Sequence, residues 1–208
     1  MKEYPMVHIP IVICIDISGS MTERDDDNNT KVQSILHTIN EMSKIDLSEN
    51  EEVSVDVCVL SFSDNCQTVM DWIPLLEFKG SLVIENVGGC ADVCSTFMTA
   101  IKILLQMSKK YDWHGIVSKE RQILLYTDEI SETDLAVMEE ELKKFDGYHD
   151  LPIKLSIIAV GNEKTKSFNL FSNSSNNSLI SICSFDRFDL EHHIMRKINS
   201  DVLYIGYP

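Results

Sequence analysis

The chain has 208 residues, of which 44% are hydrophobic and 25% are charged, and we expect a single globular α/β domain over residues 1–208. Its formal net charge of −15 disfavours electrostatic binding to nucleic acid or to an anionic membrane, but permits a cation site and a basic partner. No apolar run reaches the roughly 20 residues that span a bilayer, and residues Met1 to Pro5 lack the pattern of a signal peptide, so we expect a cytoplasmic protein.

The first predicted strand ends in a cluster of side chains that carry oxygen. An apolar run, Ile11 to Ile15, ends at Asp16, and Ser18 and Ser20 follow it. Such a run is typical of a strand that is buried on both faces of a parallel sheet. Ligands bind at the carboxyl ends of such strands. Carboxylate and hydroxyl oxygens are hard ligands, which suit Mg²⁺ or Mn²⁺ rather than zinc.

A polar loop and a helix are predicted next. The loop contains Asp25 to Asp27, but it is not an EF-hand, because the turn glycine would fall at Thr30 and the bidentate glutamate at Leu36. We therefore predict a solvated loop beside the site. Asn29 or Thr30 can cap the helix, whose apolar face recurs at helical spacing.

A β-hairpin is predicted after this helix. Val53 to Phe62 forms a buried strand, in which Asp56 interrupts the apolar run and is expected at an edge or a strand end. The tight turn Ser63 to Asn65 joins it to a short strand, Gln67 to Ile73. The second strand of the hairpin is therefore expected to be antiparallel in an otherwise parallel sheet.

A glycine pair opens the second polar loop. Gly88-Gly89 is followed by Cys90 to Cys94 and then by the hydroxyl residues Ser95 and Thr96. The apolar residues of a helix begin at Met98, and residues 111–120 are expected to form a long polar connection. The cysteines show neither a Cys-x-x-Cys pair nor a Cys/His set, so zinc is not expected.

A second buried strand also ends in a carboxylate. This strand runs from Arg121 to Thr127 and leads into Asp128 and Glu129. Ser131-x-x-Asp134 has the pattern of a capping box in its acidic form and predicts a helix behind it.

The remainder of the chain continues the alternation of strands and helices. We predict a buried strand at 152–161, a short helix at 164–171, a polar turn at 173–177, an edge strand at 179–183, a last helix around 190–198 and a tail at 203–208. The alternation predicts an α/β fold with a doubly wound, mostly parallel central sheet and one antiparallel edge strand.

The order of these motifs resembles a known family. Asp16-x-Ser18-x-Ser20, followed along the chain by a threonine and an aspartate, looks like the metal-ion-dependent adhesion site of von Willebrand factor A (vWA) domains. The order of elements is most similar to the tellurium-resistance TerY-like group of small bacterial vWA proteins. The resemblance implies five ligands for Mg²⁺ or Mn²⁺: Asp16, Ser18, Ser20, Thr96 and Asp128.

The chain departs from the family pattern in two places. An insertion separates the Gly88-Gly89 pair from the hydroxyls, so Ser95 can substitute for Thr96 as the ligand. Glu129 stands where the family usually has glycine, which adds a negative charge near the metal. The resemblance also implies that Asp16 and Asp128 lie on neighbouring strands.

We therefore expect a metal-dependent protein-binding module whose partner supplies an acidic ligand to the metal. The resemblance to the TerY-like group implies a role in a stress or tellurite-resistance system. One alternative is a Mg²⁺-dependent phosphohydrolase; aspartate-nucleophile phosphatases place a second Asp two residues after the first, where this chain has Ser18. The P-loop and nucleophile-elbow motifs are absent, so no enzyme is expected. A second alternative is a vWA scaffold that binds partners without metal.

Overall fold

A computed structural model of the protein describes residues 7–24, 28–47, 52–118, 120–146, 152–161 and 179–202. Four predicted features therefore lie outside the described residues: the acidic loop at 25–27, the short helix at 164–171, the polar turn at 173–177 and the tail at 203–208. None of the helices within the described ranges is both long enough and apolar enough to cross a lipid bilayer.

The described part of the chain contains a seven-stranded sheet, whose strands are β1 (Val7–Asp16), β2 (Val53–Phe62), β3 (Cys66–Pro74), β4 (Val117–Ser118), β5 (Arg121–Thr127), β6 (Ile153–Ala159) and β7 (Ile180–Ser184). The path of strands runs β3-β2-β1-β5-β6-β7, and β4 pairs with β1. Within this sheet only β3 is antiparallel to its neighbour. The prediction of a mostly parallel sheet with one antiparallel edge strand is therefore confirmed.

The helices cover both faces of the sheet, as their apolar periodicity requires. One layer of the core joins Ile13 of β1 to Ile35 and Ile194, and the opposite layer joins Val12 to Leu104 and Met138. Successive residues of β1 thus point into different layers. The helices are α1 (Lys31–Glu41), α2 (Val93–His114), α3 (Glu132–Asp146) and α4 (Leu190–Val202).

Local capping fixes where the helices begin. Thr30 and Gln33 form a reciprocal capping box at α1, and Ser131 with Asp134 does the same at α3. Both caps agree with the sequence. At α2 the cap is Asp92, whose carboxylate accepts the backbone N–H of Ser95 at 3.0 Å.

Helix α2 differs from its prediction at both ends. It begins at Val93, so Ser95 and Thr96 lie inside its first turn rather than before it. It continues to His114 and ends at Gly115, which adopts the left-handed conformation at φ 67°. The predicted polar connection at 111–120 was therefore wrong over its first four residues, because Tyr111 is buried and extends the inner face of the helix.

Asp56 is also placed differently from its prediction. It lies within β2, pairs with Pro10 of β1 on one side and with Pro74 of β3 on the other, and is only 4% exposed. The expectation of an edge or strand end was wrong, because the carboxylate is satisfied inside the protein. It hydrogen-bonds to His8 Nδ1 at 2.6 Å and accepts the hydroxyl of Tyr111 and that of Ser54.

The order of the strands reverses between β1 and β5. From β1 the chain continues to β2 on one side, whereas β5 and β6 extend the sheet on the other side. The carboxyl ends of β1 and β5 consequently flank a topological switch point. A crevice at such a point is the usual binding position in open α/β sheets.

Candidate metal centre

The ends of β1 and β5 bring the predicted ligands to the switch point. Ile15 of β1 pairs with Tyr126 of β5, so Asp16 and Thr127 end neighbouring strands. Asp128 comes directly after Thr127 of β5, and Ser18 and Ser20 come after Asp16 of β1. The implied proximity of Asp16 and Asp128 thus follows from the register of two parallel strands.

Asp16 is held rigidly by two donors. Its side chain is fully buried at 0% exposure. One carboxylate oxygen accepts the backbone N–H of Ser18 at 2.8 Å, and the other accepts the hydroxyl of Thr127 at 2.6 Å. Burial raises the pKa of Asp16 above the ordinary aspartate value; these two hydrogen bonds oppose the shift, and the nearby charge of Asp128 adds to it.

A chain of hydrogen bonds links the other predicted ligands. The hydroxyl oxygens of Ser18 and Ser20 are 3.2 Å apart, and the hydroxyl of Ser20 donates to Oδ1 of Asp128 at 3.0 Å. The Asp16 carboxylate joins this chain through the backbone N–H of Ser18. Four of the predicted ligands therefore belong to one connected cluster.

The donor type of the cluster suits a small divalent cation. Carboxylate and hydroxyl oxygens are the ligands that Mg²⁺ and Mn²⁺ prefer. The separations of 3.2 Å between Ser18 and Ser20 and of 3.0 Å between Ser20 and Asp128 are hydrogen-bond distances, near the roughly 2.9 Å between adjacent ligands of octahedral Mg²⁺. The choice of Mg²⁺ or Mn²⁺ therefore rests on the donor type.

The cluster combines two carboxylates with two neutral hydroxyls. Within the described ranges, no group of three or more His, Cys, Asp or Glu side chains is gathered so that it could hold a metal ion. Asp16 and Asp128 are the two carboxylates among the predicted ligands. Two carboxylates balance the charge of one divalent cation, but they leave the affinity to depend on neutral oxygens and on neighbouring charges.

Thr96 is not joined to this cluster by any hydrogen bond within the described part of the chain. It is 1% exposed, and its hydroxyl donates to the backbone carbonyl of Asp92 at 2.8 Å, within the same helical turn. Ser95, the substitute ligand, is exposed on the outer side of α2.

The Gly88-Gly89 pair before α2 is tied to the site by its backbone. Gly19 N–H donates to the carbonyl of Gly89 at 3.0 Å, and Gly88 N–H donates to the carbonyl of Ile17 at 2.7 Å. Gly89 has φ 89°, and a Cβ there would lie 2.4 Å from a carboxylate oxygen of Asp64. A side chain at position 89 would therefore disturb the contact between the two loops.

The loop after β5 tolerates Glu129 in place of glycine. Asn28 is the one non-glycine residue with positive φ in the described ranges, so Glu129 needs no left-handed backbone. Its side chain is exposed. The backbone N–H of Glu129 donates to the hydroxyl oxygen of Thr127 at 3.4 Å, which ties the loop to the residue that orients Asp16.

Lys31 is the principal feature that the sequence did not indicate. Its ammonium donates to Oδ2 of Asp128 at 2.9 Å, to Glu23 at 2.7 Å and to the carbonyl of Ser20 at 3.4 Å. Burial opposes the charged form, but the hydrogen bonds to Glu23 and Asp128 outweigh it and raise the pKa of Lys31. Lys31 and Asp128 are 97 positions apart, so no linear pattern relates them.

Thr127 was missed as well, although the sequence carried a signal for it. It is the last residue of a buried strand and directly precedes Asp128. The carboxyl end of a strand next to the switch point is where polar side chains meet a ligand. Its fully buried hydroxyl orients Asp16 instead of pointing to solvent.

Comparisons with known proteins agree on one family. A sequence profile described as the von Willebrand factor type A domain matches residues 11–131, a range that includes all five predicted ligands. A comparison with curated protein sequences gives no significant match.

Several solved structures have a similar fold. The VWA domain of SpRpn10 is 16% identical with a TM-score of 0.53, and the match covers 87% of this chain and 88% of the SpRpn10 chain. An aerotolerance-related membrane protein from Bacteroides fragilis is 14% identical with a TM-score of 0.54, and the match covers 95% of this chain and 100% of that one. The PilB minor pilin from Streptococcus sanguinis is 13% identical with a TM-score of 0.58, and the match covers 100% of this chain and 64% of the pilin chain. At these identities the likeness concerns the fold.

Proposed function

Because the chain belongs to the von Willebrand factor type A domain family, whose members commonly mediate protein–protein interaction, we propose that it binds a protein partner through a divalent cation, Mg²⁺ or Mn²⁺. Asp16, Ser18, Ser20 and Asp128 hold this cation, and Thr96 or Ser95 completes the set. The partner contributes an acidic side chain at a remaining coordination position.

One observation carries the proposal. Carboxylates from two different strand ends and two serine hydroxyls form a single cluster at the switch point, with oxygen separations of 3.0 and 3.2 Å. Thr127, at the end of β5, and the backbone N–H of Ser18, in the loop after β1, fix the buried Asp16 carboxylate beside these hydroxyls. Oxygens gathered from two strand ends at a switch point are the arrangement in which an open α/β sheet binds a ligand.

Each side chain has a defined part in this proposal. Thr127 and the Ser18 N–H fix the direction of the Asp16 carboxylate. Ser20 fixes one oxygen of Asp128. The chemistry that the cation supplies is the capacity to accept one more oxygen ligand, and few protein anions in the site favour a carboxylate from outside.

The finer features of the proposal follow from the family resemblance and from the composition. We place the protein in the cytoplasm, in a TerY-like stress or tellurite-resistance system. A net charge of −15 opposes an acidic partner at long range only weakly at physiological salt, because charges beyond about 8–10 Å are screened. The acidic ligand therefore needs short-range contacts around the site.

Catalysis is not part of the proposal. Phosphatases with an aspartate nucleophile use a second aspartate two residues further on as a general acid. Ser18 stands there, and its hydroxyl lies 3.2 Å from Ser20, an arrangement suited to ligation. Turnover of a generic phosphate ester that disappears in Asp16→Ala would favour the phosphohydrolase instead.

A second candidate function has an observation in its favour. The ammonium of Lys31 already neutralises Asp128 at 2.9 Å. A vWA scaffold with an internal counter-charge of this kind can bind its partner without metal. Partner binding that survives a chelator would favour this candidate.

Isothermal titration calorimetry with Mg²⁺ and with Mn²⁺ tests the proposal. We expect saturable binding near one equivalent for the wild type and its loss in Asp16→Ala. Asp92→Ala is the matched control, because it removes a carboxylate that caps α2 and is outside the cluster. A pull-down with the wild type as bait, with and without chelator, then tests whether partner binding follows the metal. Absence of metal binding by the folded wild type contradicts the proposal.

A further inference from the structure

Lys31 is a largely buried lysine whose ammonium is paired with a predicted metal ligand, Asp128. Its side chain is only 14% exposed, and that of Asp128 is 10% exposed. Lysine is rarely buried to this degree unless it is paired. Here its ammonium group has three oxygen acceptors, on Asp128, Glu23 and Ser20, so its position is well determined.

The fold leaves a passage for this side chain. Gly161, just after β6, has φ +105°, and a Cβ built there would lie 3.0 Å from Cε and 3.4 Å from Nζ of Lys31. The missing side chain at position 161 allows the lysine stem to pass close to the backbone. The route from α1 to Asp128 is thus formed by the backbone of a third element.

The carboxylate of Asp128 cannot keep its ion pair with Lys31 and also bind a metal ion directly. Its Oδ1 accepts from Ser20 and its Oδ2 accepts from Lys31, so both oxygens already have donors. An ammonium and a divalent cation on one carboxylate repel each other strongly where water is scarce. Direct ligation by Asp128 therefore favours departure of the lysine.

Glu23 can keep the Lys31 ammonium paired after it leaves Asp128. It accepts the ammonium at 2.7 Å, and its side chain is 69% exposed. Lys31 can keep this contact when it leaves Asp128, so it does not become a buried, unpaired charge. The pair Lys31–Glu23 lies at the solvent side of the Asp128 contact.

We propose that Lys31 competes with the divalent cation for Asp128: its ammonium neutralises the site in the metal-free protein and moves to Glu23 alone when the cation binds. This inference rests on the proposed function and adds a specificity-determining residue to it. Lys31 thereby sets the cation concentration at which the site fills, because each binding event must displace one ion pair.

The test compares Mg²⁺ titrations by calorimetry of the wild type, Lys31→Met and Lys44→Met. Lys44 is the matched control. It lies directly after α1 and pairs with Glu41 at the surface, where 71% of its side chain is exposed. We expect Lys31→Met to bind Mg²⁺ at least about tenfold more tightly than the wild type, a difference of about 1.4 kcal/mol. Lys44→Met should bind as the wild type does.

The outcomes separate this inference from the proposed function. Equal Mg²⁺ affinity in the wild type and Lys31→Met, or weaker affinity in Lys31→Met with its fold intact by circular dichroism, overturns the competition but leaves the metal site standing. Absence of binding in all three proteins, together with intact folds, overturns both. Tighter binding in Lys31→Met alone supports both.

Glu23→Gln provides a second variant that does not depend on the stability of Lys31→Met. Without Glu23 the lysine has less reason to leave Asp128, so Mg²⁺ affinity should fall severalfold, opposite in sign to Lys31→Met. The double variant Lys31→Met/Glu23→Gln identifies the cause. If the effect of Glu23→Gln vanishes without the lysine, the competition is supported; if it persists unchanged, Glu23 attracts the cation directly and this step is wrong.

Discussion

Two buried aspartates on neighbouring strands have opposite surroundings. Asp56 in β2 is 4% exposed and contacts the buried phenol of Tyr111, together with a partly buried imidazole and serine hydroxyl. Asp16 at the end of β1 is also fully buried, but its neighbours are polar groups of loops at the switch point. A buried carboxylate therefore indicates a binding site only where its surroundings offer further oxygens to a ligand.

The position along the strands explains the difference. Asp56 pairs with Pro10, several residues before the carboxyl end of β1, so α2 covers it and supplies Tyr111. Burial, together with the hydrogen bond to Asp56, raises the pKa of Tyr111, which keeps the phenol as a donor. Asp16 lies at the carboxyl end of β1, where the loop after β1 and the end of β5 supply its hydrogen-bond donors.

The largest expected effect concerns stability at Asp56. Asp56→Ala should lower the free energy of unfolding by about 3 kcal/mol, because Tyr111, His8 and Ser54 lose a shared acceptor in the interior. Urea denaturation in the presence of a chelator measures this free energy. Asp16→Ala should lower the free energy of unfolding by less, since burial already disfavours the charged form of Asp16. A larger decrease in Asp16→Ala than in Asp56→Ala would contradict the comparison.

The next effect distinguishes a ligand from a helix cap. Asp128→Ala should weaken Mg²⁺ binding by at least about tenfold, or 1.4 kcal/mol. Asp92→Ala should leave the affinity nearly unchanged but lower the free energy of unfolding by about 1 kcal/mol, because Asp92 caps α2. Calorimetry and urea denaturation measure the two quantities. Equal losses of Mg²⁺ affinity would contradict the ligand assignment.

A smaller effect decides between the two hydroxyls of α2. Thr96→Val removes the buried hydroxyl at nearly constant shape and should weaken Mg²⁺ binding severalfold. Ser95→Ala removes an exposed hydroxyl and should leave the affinity within about twofold. The same titration applies to both. Loss of affinity in Ser95→Ala alone would transfer the role to Ser95.

The smallest effect lies at the amino end of β5, where no ligand is proposed. Hydrogen bonds from Lys154 and Lys197 outweigh burial and lower the pKa of Glu120. A carboxyl group with a lowered folded-state pKa stabilises the protein above its unfolded pKa of about 4.3, and this contribution is lost as the pH falls through the folded value. The stability advantage of the wild type over Glu120→Gln should therefore shrink below about pH 4.3. An advantage that grows on acidification would contradict this sign.

The sequence predicted those parts of the molecule that depend on local pattern. Buried runs placed Asp16 and Asp128 at the carboxyl ends of two strands, the family resemblance implied that these strands are neighbours, and the capping patterns placed the starts of α1 and α3. A residue's linear neighbours determine these features. The parallel register then follows from the alternation of strands and helices.

Two of the remaining features depend on contacts between distant residues, and a third lies in an insertion without a family pattern. Asp56 interrupts an apolar run, and only the packing of Tyr111 and His8 against it explains why it stays inside β2. Asp92 starts α2 early because its own carboxylate caps the helix, within an insertion that has no family pattern. Lys31 reaches Asp128 along a passage created by Gly161. None of these three contacts has a periodic signal in the chain.

The central claim is that oxygens from the ends of β1 and β5 hold one divalent cation. A crystal structure grown with millimolar Mn²⁺, with anomalous diffraction measured for manganese, tests it most directly. The account predicts a single strong peak among Asp16, Ser18, Ser20 and Asp128, with the Lys31 ammonium on Glu23. Absence of a peak at this position, with Lys31 still bound to Asp128, would contradict it.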